Sequence, residues 1–410
     1  MRLLGNLLKR FVKNGQLRIT DAKGVLHVFG TGENGPVVTA RLTDAALEWK
    51  LFLNPELTAA EAYMDGGLVF EDGSTVHDFL VLFSVNREPL GSHPVQGMMR
   101  KLWKGFRRRQ QANDIQSAKD HARSHYDLST DLYRLFLDPK LNYSCAYFSR
   151  PDMSLEEAQE AKLTHAVAKL GLKPGMKVLE IGGGWGAFAI KLAEAGADVT
   201  SLNVSPEQIK IAEELTEAAG MSDRVSYVQK DYREFEGKFD RIVSVGMMEH
   251  VGIGHLDEYF AVIKRLLTPD GYAFVHAIGR MTPPGTTGPF FRKYIFPGGY
   301  VPALSEVFAV TERQGIWVAD VEVLRLHYGM TCREWRKRFA AKRDEAKALY
   351  DERFCRMWEF YLSAAELGFF HGSNMVFQVL VSNKRDAVPI TRDFLVDDER
   401  ALLAAASKAE

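Results

Sequence analysis

A run of glycines near the middle of the chain could bring the backbone close to a ligand. It lies in Val178-Leu-Glu-Ile-Gly-Gly-Gly-Trp-Gly186, before the amphipathic segment 188–194. This pattern predicts a buried strand, a tight turn and a helix. Glycine allows the close approach, and the N-terminus of the helix offers free N–H groups. The turn is therefore typical of a site for a nucleotide-like cofactor.

Two classes of cofactor compete for this turn. Gly182, Gly184 and Ala187 satisfy the dinucleotide pattern G-x-G-x-x-G/A. That class also requires an acidic residue about 20 residues on, at the end of the next strand. The next predicted strand, 198–203, carries its acidic residue at the start instead. A dinucleotide enzyme stays as an alternative, as does a turn kept only for packing.

Polar residues after the second and third strands favour S-adenosylmethionine. Asn203 ends the second strand, and Gln208 lies one turn into the following helix. The third predicted strand, 225–229, leads into Asp231 and Tyr232. Together with the glycine turn, these positions have the pattern of the pocket of an S-adenosylmethionine-dependent methyltransferase.

Further polar residues fall at the carboxyl ends of predicted strands. Glu249 and His250 follow the strand 239–245, and His276 lies near the end of the strand 272–278. Ligands of doubly wound sheets bind at that edge. Two more polar elements stand in Asn142-Tyr-Ser-Cys-Ala-Tyr-Phe148 and His327-Tyr-Gly-Met-Thr331. One such residue alone would usually belong to the core, but their convergence beside a cofactor pocket indicates a catalytic site.

The elements that must position these residues alternate between strand and helix from about residue 120 onward. The later strands are predicted at 317–324 and 375–381. This alternation implies an α/β fold with a parallel doubly wound sheet, Rossmann-like and of the class I methyltransferase type. The irregular segment 279–314 and the helical stretch 332–362 are expected to cover the substrate.

The first hundred residues predict a separate small α+β domain. Apolar residues recur at helical spacing over 3–12, and strand-like and helical segments follow at 16–20, 25–29, 37–42, 55–63 and 76–85. We therefore expect an N-terminal accessory domain over 1–98, a basic linker helix over 99–122 and a catalytic domain with substrate-covering insertions over 123–400.

The expected linker contains a strongly basic segment, Arg100–Arg109. Six of its ten residues are basic, and Leu102, Trp103 and Phe106 lie among them. Such a segment could dock on an anionic membrane surface. It could equally be a solvated helix between domains, with its aromatic residues packed on a neighbour. The segment by itself does not decide between the two.

Composition is that of an ordinary soluble protein of two or three domains. The 410 residues carry a net charge of -1, which gives no argument for nucleic acid as a partner. The three cysteines are widely spaced and indicate neither a disulfide framework nor a metal site. No apolar run reaches the length of a membrane span, and no signal peptide is recognised. We expect a cytoplasmic protein.

In these motifs the chain resembles the cyclopropane-fatty-acid (phospholipid) synthases, from about Ser124 to Ser382. The specific marks are His125-Tyr-Asp, Tyr143-Ser-Cys-Ala-Tyr147, the glycine turn, Gln229-Lys-Asp-Tyr-Arg233, Glu249-His-Val-Gly252, Lys293-Tyr-Ile-Phe-Pro297 and Trp335 after His327-Tyr-Gly. The resemblance implies transfer of a one-carbon unit from S-adenosylmethionine to a cis double bond in a phospholipid acyl chain. The resulting cation would lose a proton to a bound bicarbonate ion and close a cyclopropane ring.

The resemblance also implies roles for individual residues. Cys145, Glu249, His276 and Tyr328, with the backbone of Ile278, would hold the bicarbonate. The cofactor would contact Tyr143, Ser144, Glu180, Gly182, Gly183, Gly184, Gly186, Asn203, Gln208, Asp231 and Tyr232. Ala365 stands where some members carry a cysteine, so no thiol nucleophile is expected there.

Further expectations follow from the same resemblance. The first domain would handle lipid, the protein would associate peripherally with the inner membrane surface, and a homodimer is possible. A sister fatty-acid C-methyltransferase, giving methyl-branched or methylene acyl chains from the same cation, is the alternative enzyme. A lipid-binding protein with a decayed enzyme domain is the alternative from another class.

Overall fold

The computed structural model describes residues 1–87 and 128–409, which fold into two compact units. The first unit contains residues 1–87, 286–297 and 332–373, and the second contains 128–285, 298–331 and 374–409. The sequence predicts that 286–297 and 332–373 belong to the catalytic domain, whereas they pack with the N-terminal residues. The basic linker helix over 99–122 and the His125-Tyr-Asp motif lie outside the described residues.

The first unit is built on a four-stranded sheet in the order β2-β1-β3-β4. Its strands are β1 (Gln16–Thr20), β2 (Leu26–Phe29), β3 (Val37–Leu42) and β4 (Leu68–Glu71). Its N-terminal helices are Arg2–Phe11, Ala46–Leu53, Pro55–Met64 and Val76–Val85. The α+β class predicted for this region is therefore found. The helix Ala46–Leu53 and the strand β4 were not predicted, because the helix has apolar residues all round and the strand has only four residues.

A long helix, Glu352–Phe370, completes the first unit by packing on the helices Pro55–Met64 and Val76–Val85. Asp351 caps it by accepting a hydrogen bond from the N–H of Phe354 at 2.7 Å. Within this helix, the carboxylate of Glu359 accepts hydrogen bonds of 2.7 Å from the Tyr63 hydroxyl and from the Arg343 guanidinium. The shorter elements of this region are Phe291–Ile295 and Arg343–Leu349.

The second unit contains a seven-stranded sheet in the order β10-β11-β9-β8-β5-β6-β7. The strands are β5 (Lys177–Ile181), β6 (Asp198–Asn203), β7 (Val225–Gln229), β8 (Phe239–Val245), β9 (Leu267–Arg280), β10 (Trp317–Leu324) and β11 (Asn374–Ser382). β5 to β9 pair in parallel, but β11 is antiparallel to both β9 and β10. The predicted Rossmann-like class is confirmed, and the predicted parallel sheet is found except at β11, which is antiparallel to its neighbours. Alternation of strands and helices does not report the direction of a strand.

Helices cover both faces of this sheet over two apolar clusters. The helices of this unit are Thr130–Arg134, Leu155–Ala168, Ala187–Glu194, Pro206–Ala218, Leu256–Leu266, Leu304–Gln314 and Asp393–Ala409. The helix His327–Ala341 begins in this unit and continues into the first. The helix Leu304–Gln314 lies in a segment predicted to be irregular, and it packs on Leu256–Leu266. Within the described ranges, no helix is both long enough and apolar enough to cross a membrane.

Candidate active site

The glycine turn after β5 has the predicted conformation. Gly182, Gly184 and Gly186 have φ of 86°, 53° and 88°, which lie in the left-handed region that favours glycine. A Cβ on Gly183 would lie 2.0 Å from Ser201 Oγ, and one on Gly186 would lie 2.4 Å from Tyr227 Oη. A Cβ on Gly184 would meet no atom within 4 Å. Gly183 and Gly186 are thus required by packing, while Gly184 faces open space where a ligand could approach.

Glu180 lies beneath this turn at the end of β5. It is buried and accepts a hydrogen bond of 2.6 Å from the Ser201 hydroxyl. Burial raises the pKa of Glu180 to about 7. Its predicted contact with the cofactor stays a prediction.

The amide of Asn203 joins the end of β6 to the glycine turn. Its Nδ2 donates to the carbonyl of Gly184 and to Oε1 of Gln208, both at 3.0 Å. Its Oδ1 accepts from the N–H of Ser205 at 3.0 Å. The structure therefore brings together the glycine turn, Asn203 and Gln208, as the sequence predicts.

The residues after β7 form a buried ion pair that the sequence did not predict. Asp231 accepts hydrogen bonds from Nε and Nη2 of Arg233 at 2.9 and 2.8 Å. Tyr232 is also buried, and its ring packs edge-on against Tyr259 with centroids 5.7 Å apart. Arg233 thus holds the Asp231 carboxylate that was predicted to contact the adenine.

The loop that contains Tyr143, Ser144 and Cys145 reaches the glycine turn through aromatic rings. The Tyr133 ring lies 5.1 Å from that of Tyr143 and 5.0 Å from that of Trp185, which is within the turn. This packing places the loop beside the cofactor pocket.

Lys162 is a site residue that the sequence analysis missed. Its buried ammonium donates to Asn142 Oδ1 at 2.8 Å and to Ser144 Oγ at 3.2 Å. Burial lowers the pKa of Lys162 to about 8, against the opposing effect of nearby Asp138. A signal was present, because Gln159, Lys162, His165 and Lys169 recur on the buried face of the helix Leu155–Ala168 and its continuation.

Glu249 lies after β8 and contacts the neighbouring strand. Its Oε1 accepts a hydrogen bond of 2.5 Å from the backbone N–H of Ile278 on β9. Its Oε2 is buried and has no hydrogen-bond partner among the residues that the structure describes. Burial raises the pKa of Glu249 to about 7. The structure therefore brings Glu249 and Ile278 together, and the Ile278 N–H positions the carboxyl group.

His276 lies two residues before Ile278, on the same face of β9. It is buried, and its Nδ1 is 3.1 Å from Nε2 of Gln378. Burial, followed by the positive charges of Lys162 and Lys169, lowers the pKa of His276 to about 3. The imidazole is therefore neutral at physiological pH.

Cys145 is held against the start of the helix His327–Ala341. The N–H of the next residue, Ala146, donates to Thr331 Oγ1 at 3.0 Å, and the N–H of Phe148 donates to His327 Nδ1 at 3.0 Å. Burial raises the pKa of the Cys145 thiol well above its usual range, so the thiol stays protonated. Tyr328 lies in this same helical turn, and its contact with an anion stays a prediction.

A family model described as mycolic acid cyclopropane synthetase matches residues 113–379. The chain belongs to the mycolic acid cyclopropane synthetase family. The match includes every residue predicted for the site, from Tyr143 to Tyr328. The predicted family is therefore confirmed.

Two curated relatives carry different names. The chain is 40% identical to the cyclopropane-fatty-acyl-phospholipid synthase of Escherichia coli (strain K12) over 261 residues, 63% of this chain and 67% of the relative. It is 39% identical to the tuberculostearic acid methyltransferase UfaA1 of Mycobacterium tuberculosis over 278 residues, 64% of this chain and 65% of the relative. The chain thus spans about two thirds of the length of these relatives.

Solved structures of the family share the fold. The mycolic acid cyclopropane synthase CmaA1 complexed with SAH and CTAB is 34% identical, with a TM-score of 0.61 over 64% of this chain and 97% of that one. Membership of the mycolic acid cyclopropane synthetase family and this SAH-bound neighbour support the predicted enzyme class, an S-adenosylmethionine-dependent methyltransferase. The predicted class I methyltransferase fold is confirmed.

Proposed function

We propose that the chain joins the methyl carbon of S-adenosylmethionine to the cis double bond of an unsaturated phospholipid acyl chain and closes a cyclopropane ring. The carrying observation is the buried carboxyl of Glu249, one oxygen of which has no partner among the described residues. The N–H that positions this carboxyl belongs to Ile278, two residues after the neutral imidazole of His276 in the family-matched region. The name of the Escherichia coli relative supports the choice of substrate.

The residues around the glycine turn fit S-adenosylmethionine. This cofactor, when bound, supplies the electrophilic methyl group. Gly184 leaves room for its approach, because a Cβ there meets open space. Asn203 presents an amide at the end of β6, Gln208 presents another in the first turn of the next helix, and Glu180 presents a buried carboxyl.

Ring closure releases one proton, which some group at the site must accept. The reaction forms two carbon–carbon bonds, one from the π pair of the alkene and one from the pair of the carbon–hydrogen bond that breaks. The carbon–sulfur bond breaks with its electron pair going to sulfur, and the hydrogen leaves as a proton. His276 is a poor acceptor, because its pKa is about 3. Cys145 is protonated, because burial raises its pKa. Of these three groups, Glu249 is the one that can both ionise near neutral pH and accept a proton there, because its pKa is about 7.

We include a bound bicarbonate ion in the proposal, because the side chains of this site offer it both an acceptor and donors. Bicarbonate, when bound, would supply the base that accepts the proton. It carries one hydroxyl, for which the unpartnered Glu249 Oε2 is an acceptor, while the imidazole of His276, the thiol of Cys145 and the hydroxyl of Tyr328 are possible donors. Lys162 adds a buried positive charge whose influence reaches both His276 and Cys145. Without that hydrogen bond and that positive charge, a carboxylate and a bicarbonate side by side would repel each other.

The test is the product formed from S-adenosylmethionine and liposomes of cis-unsaturated phospholipid. Mass alone is insufficient, because ring and methyl-alkene products both add one CH2. Upfield ring protons in the NMR spectrum of the extracted lipid are the expected result. Absence of any methyl transfer would contradict both enzyme hypotheses.

The sister activity is the second candidate, because UfaA1 is a methyltransferase by name at 39% identity. In that case the same cation would lose a proton from a neighbouring carbon and give a methylene chain, and a saturated methyl-branched chain would require a further two-electron reduction by a separate hydride donor. Methyl or vinylidene protons in the same NMR spectrum, without ring protons, would establish it.

Peripheral docking on a membrane forms the last part of the proposal. In the first unit, Leu3, Trp49 and Leu53 are exposed apolar side chains, and Lys9 and Arg10 are exposed basic ones. Each basic residue near an anionic surface contributes about 1 kcal/mol, and salt screens this attraction. We expect activity on anionic liposomes to fall as ionic strength rises, and to fall further when Arg107, Arg108 and Arg109 become Gln.

The matched control for this test is activity on zwitterionic liposomes, which should depend little on salt. Activity and lipid association that ignore salt on both surfaces would favour a linker role for the basic segment. The possible homodimer stays a prediction, which sedimentation analysis of the full chain checks.

A further inference from the structure

A chain of buried polar groups lies behind His276, on the side of its Nδ1. Gln378 on β11 is the direct cross-strand partner of His276, and its Nε2 is 3.1 Å from His276 Nδ1. The ammonium of Lys169 donates to Oε1 of the same Gln378 at 2.5 Å. His276, Gln378 and Lys169 are 3%, 2% and 1% exposed, so water does not compete for these contacts.

Lys169 keeps its charge in this buried position because Glu322 pairs with it. The Glu322 carboxylate contacts the Lys169 ammonium and also lies 2.8 Å from His165 Nε2. Burial alone would raise the pKa of Glu322, but His165 and Lys169 outweigh it and lower the pKa to about 2. An ionised Glu322 stabilises a charged Lys169, although burial lowers the pKa of the lysine.

The donor and acceptor roles in this chain follow from Lys169. An ammonium group only donates hydrogen bonds, so the group of Gln378 that faces it must be the carbonyl oxygen. The amide nitrogen of Gln378 then faces His276 and donates to Nδ1. A neutral imidazole that accepts at Nδ1 carries its hydrogen on Nε2.

We propose that Lys169 and Gln378 are positioning residues that hold neutral His276 in the Nε2–H tautomer, so that it presents a hydrogen-bond donor to the anion of the active site. The identity of that anion, bicarbonate, rests on the proposed function, whereas the tautomer does not. The opposite tautomer would direct the lone pair of Nε2 at a negative charge and would leave two hydrogens facing each other between Gln378 and His276.

The first test observes the tautomer directly. Long-range proton–nitrogen NMR on full-length protein with 15N-labelled histidine distinguishes a nitrogen that carries hydrogen from one that does not. The His276 signals are those lost in His276→Phe. We expect hydrogen on Nε2 and none on Nδ1 in the wild type. Hydrogen on Nδ1 overturns the proposal, whatever the activity.

Three variants test which residues hold the tautomer. Gln378→Glu places a carboxylate beside Nδ1, so we expect hydrogen to appear there. Lys169→Met frees the amide to rotate, and both tautomers should become visible. Lys169→Arg, also a donor only, should restore the wild-type pattern and guards against a variant that merely fails to fold. An Nε2–H tautomer that persists in both Gln378→Glu and Lys169→Met overturns the proposal.

Lys264→Met is the matched control. Lys264 also donates to two acceptors, the carbonyls of Gln314 and Gly315 at 2.7 and 3.3 Å, but it lies outside this chain of contacts. Its loss should leave the His276 signals unchanged. A changed tautomer in this control would mean that loss of any such lysine disturbs the site, and would overturn the specific role of Lys169.

The second readout is the bicarbonate concentration at half-maximal rate. A hydrogen bond to a charged group is lost when the tautomer changes, so Gln378→Glu should raise this concentration about 10- to 100-fold. Binding of S-adenosylmethionine, measured by calorimetry, should stay unchanged. A wild-type protein that shows the Nε2–H tautomer but makes no ring product would contradict the proposed function and leave the positioning role standing. An unchanged bicarbonate requirement in a variant with a switched tautomer would overturn the donor role.

Discussion

The two halves of the site solve different problems in different ways. Around β5 and β6, backbone conformation shapes the pocket, since three glycines have positive φ. The side-chain amide of Asn203 donates to the carbonyl of Gly184, which is only 19 residues away in sequence. Around β9 and β11, the buried side chains that we propose for the anion site have partners 102 and 209 residues away in sequence. The cofactor half therefore depends on local conformation, and the anion half depends on tertiary burial.

The largest expected effect comes from the cofactor half. Gly184→Val should reduce S-adenosylmethionine binding below detection by calorimetry. The valine side chain would fill the open space that the cofactor needs, and a branched residue is strained at φ 53°. The left-handed conformation itself costs about 1–2 kcal/mol for a residue with a Cβ. Gly220→Val is the control, since Gly220 has φ 69° and equally open space at the end of another helix. Near-native affinity in Gly184→Val would refute the assigned pocket.

The next effect belongs to the anion half. Glu249→Gln keeps the acceptor for the Ile278 N–H but loses the charge, so turnover should fall about 10²–10⁴-fold. Affinity for S-adenosylmethionine should change little, which separates the two halves. Glu306→Gln, at a carboxyl that accepts from the Tyr300 hydroxyl at 2.6 Å, is the matched control.

Bicarbonate separates two roles of Glu249. If Glu249 orients the anion, bicarbonate-depleted buffer should slow the wild-type enzyme and added bicarbonate should restore it. Wild-type activity that ignores bicarbonate, with Glu249→Gln still active, would mean that the proton leaves by another route.

Stability should also respond to the charge of Glu249. Its pKa in the folded protein is about 7, above the ordinary value of 4.5, so the folded state gives up this proton later than the unfolded state. Its contribution to stability is complete below pH 4.5 and is lost as the pH rises toward 7. At 1.36 kcal/mol per unit the loss is on the order of 3 kcal/mol.

Glu249→Gln removes this titration. Denaturant unfolding should show similar stabilities for the variant and the wild type at low pH, and a more stable variant above pH 7. A stability difference that does not change with pH would mean that burial does not raise the pKa of Glu249.

The smallest effect is expected for Tyr328→Phe. Loss of one donor to the anion should raise the bicarbonate concentration for half-maximal rate about 10-fold. The maximal rate at saturating bicarbonate should change less. An unchanged bicarbonate requirement would remove Tyr328 from the proposed anion site.

Much of the fold was predictable because its signals are local. The strand, turn and helix around Gly182–Gly186 follow from neighbouring residues, and so do most of the strands of the larger sheet. The reversed direction of β11 was not predictable, because a buried apolar strand reads the same in either direction. The grouping of the segments 286–297 and 332–373 with the N-terminal residues was not predictable for a similar reason, since sequence order does not reveal which core a helix joins.

By itself the sequence determined which chemical groups are available: the glycine turn, Cys145, Glu249, His276 and Tyr328. It determined this because residue types and short spacings are properties of the chain. Only the tertiary structure decided the state of those groups. Burial raises the pKa of Glu249 and lowers that of His276, and Lys169, through Gln378, determines the tautomer of His276. Such effects depend on the surrounding dielectric and on contacts between residues far apart in sequence, and both exist only in the folded protein.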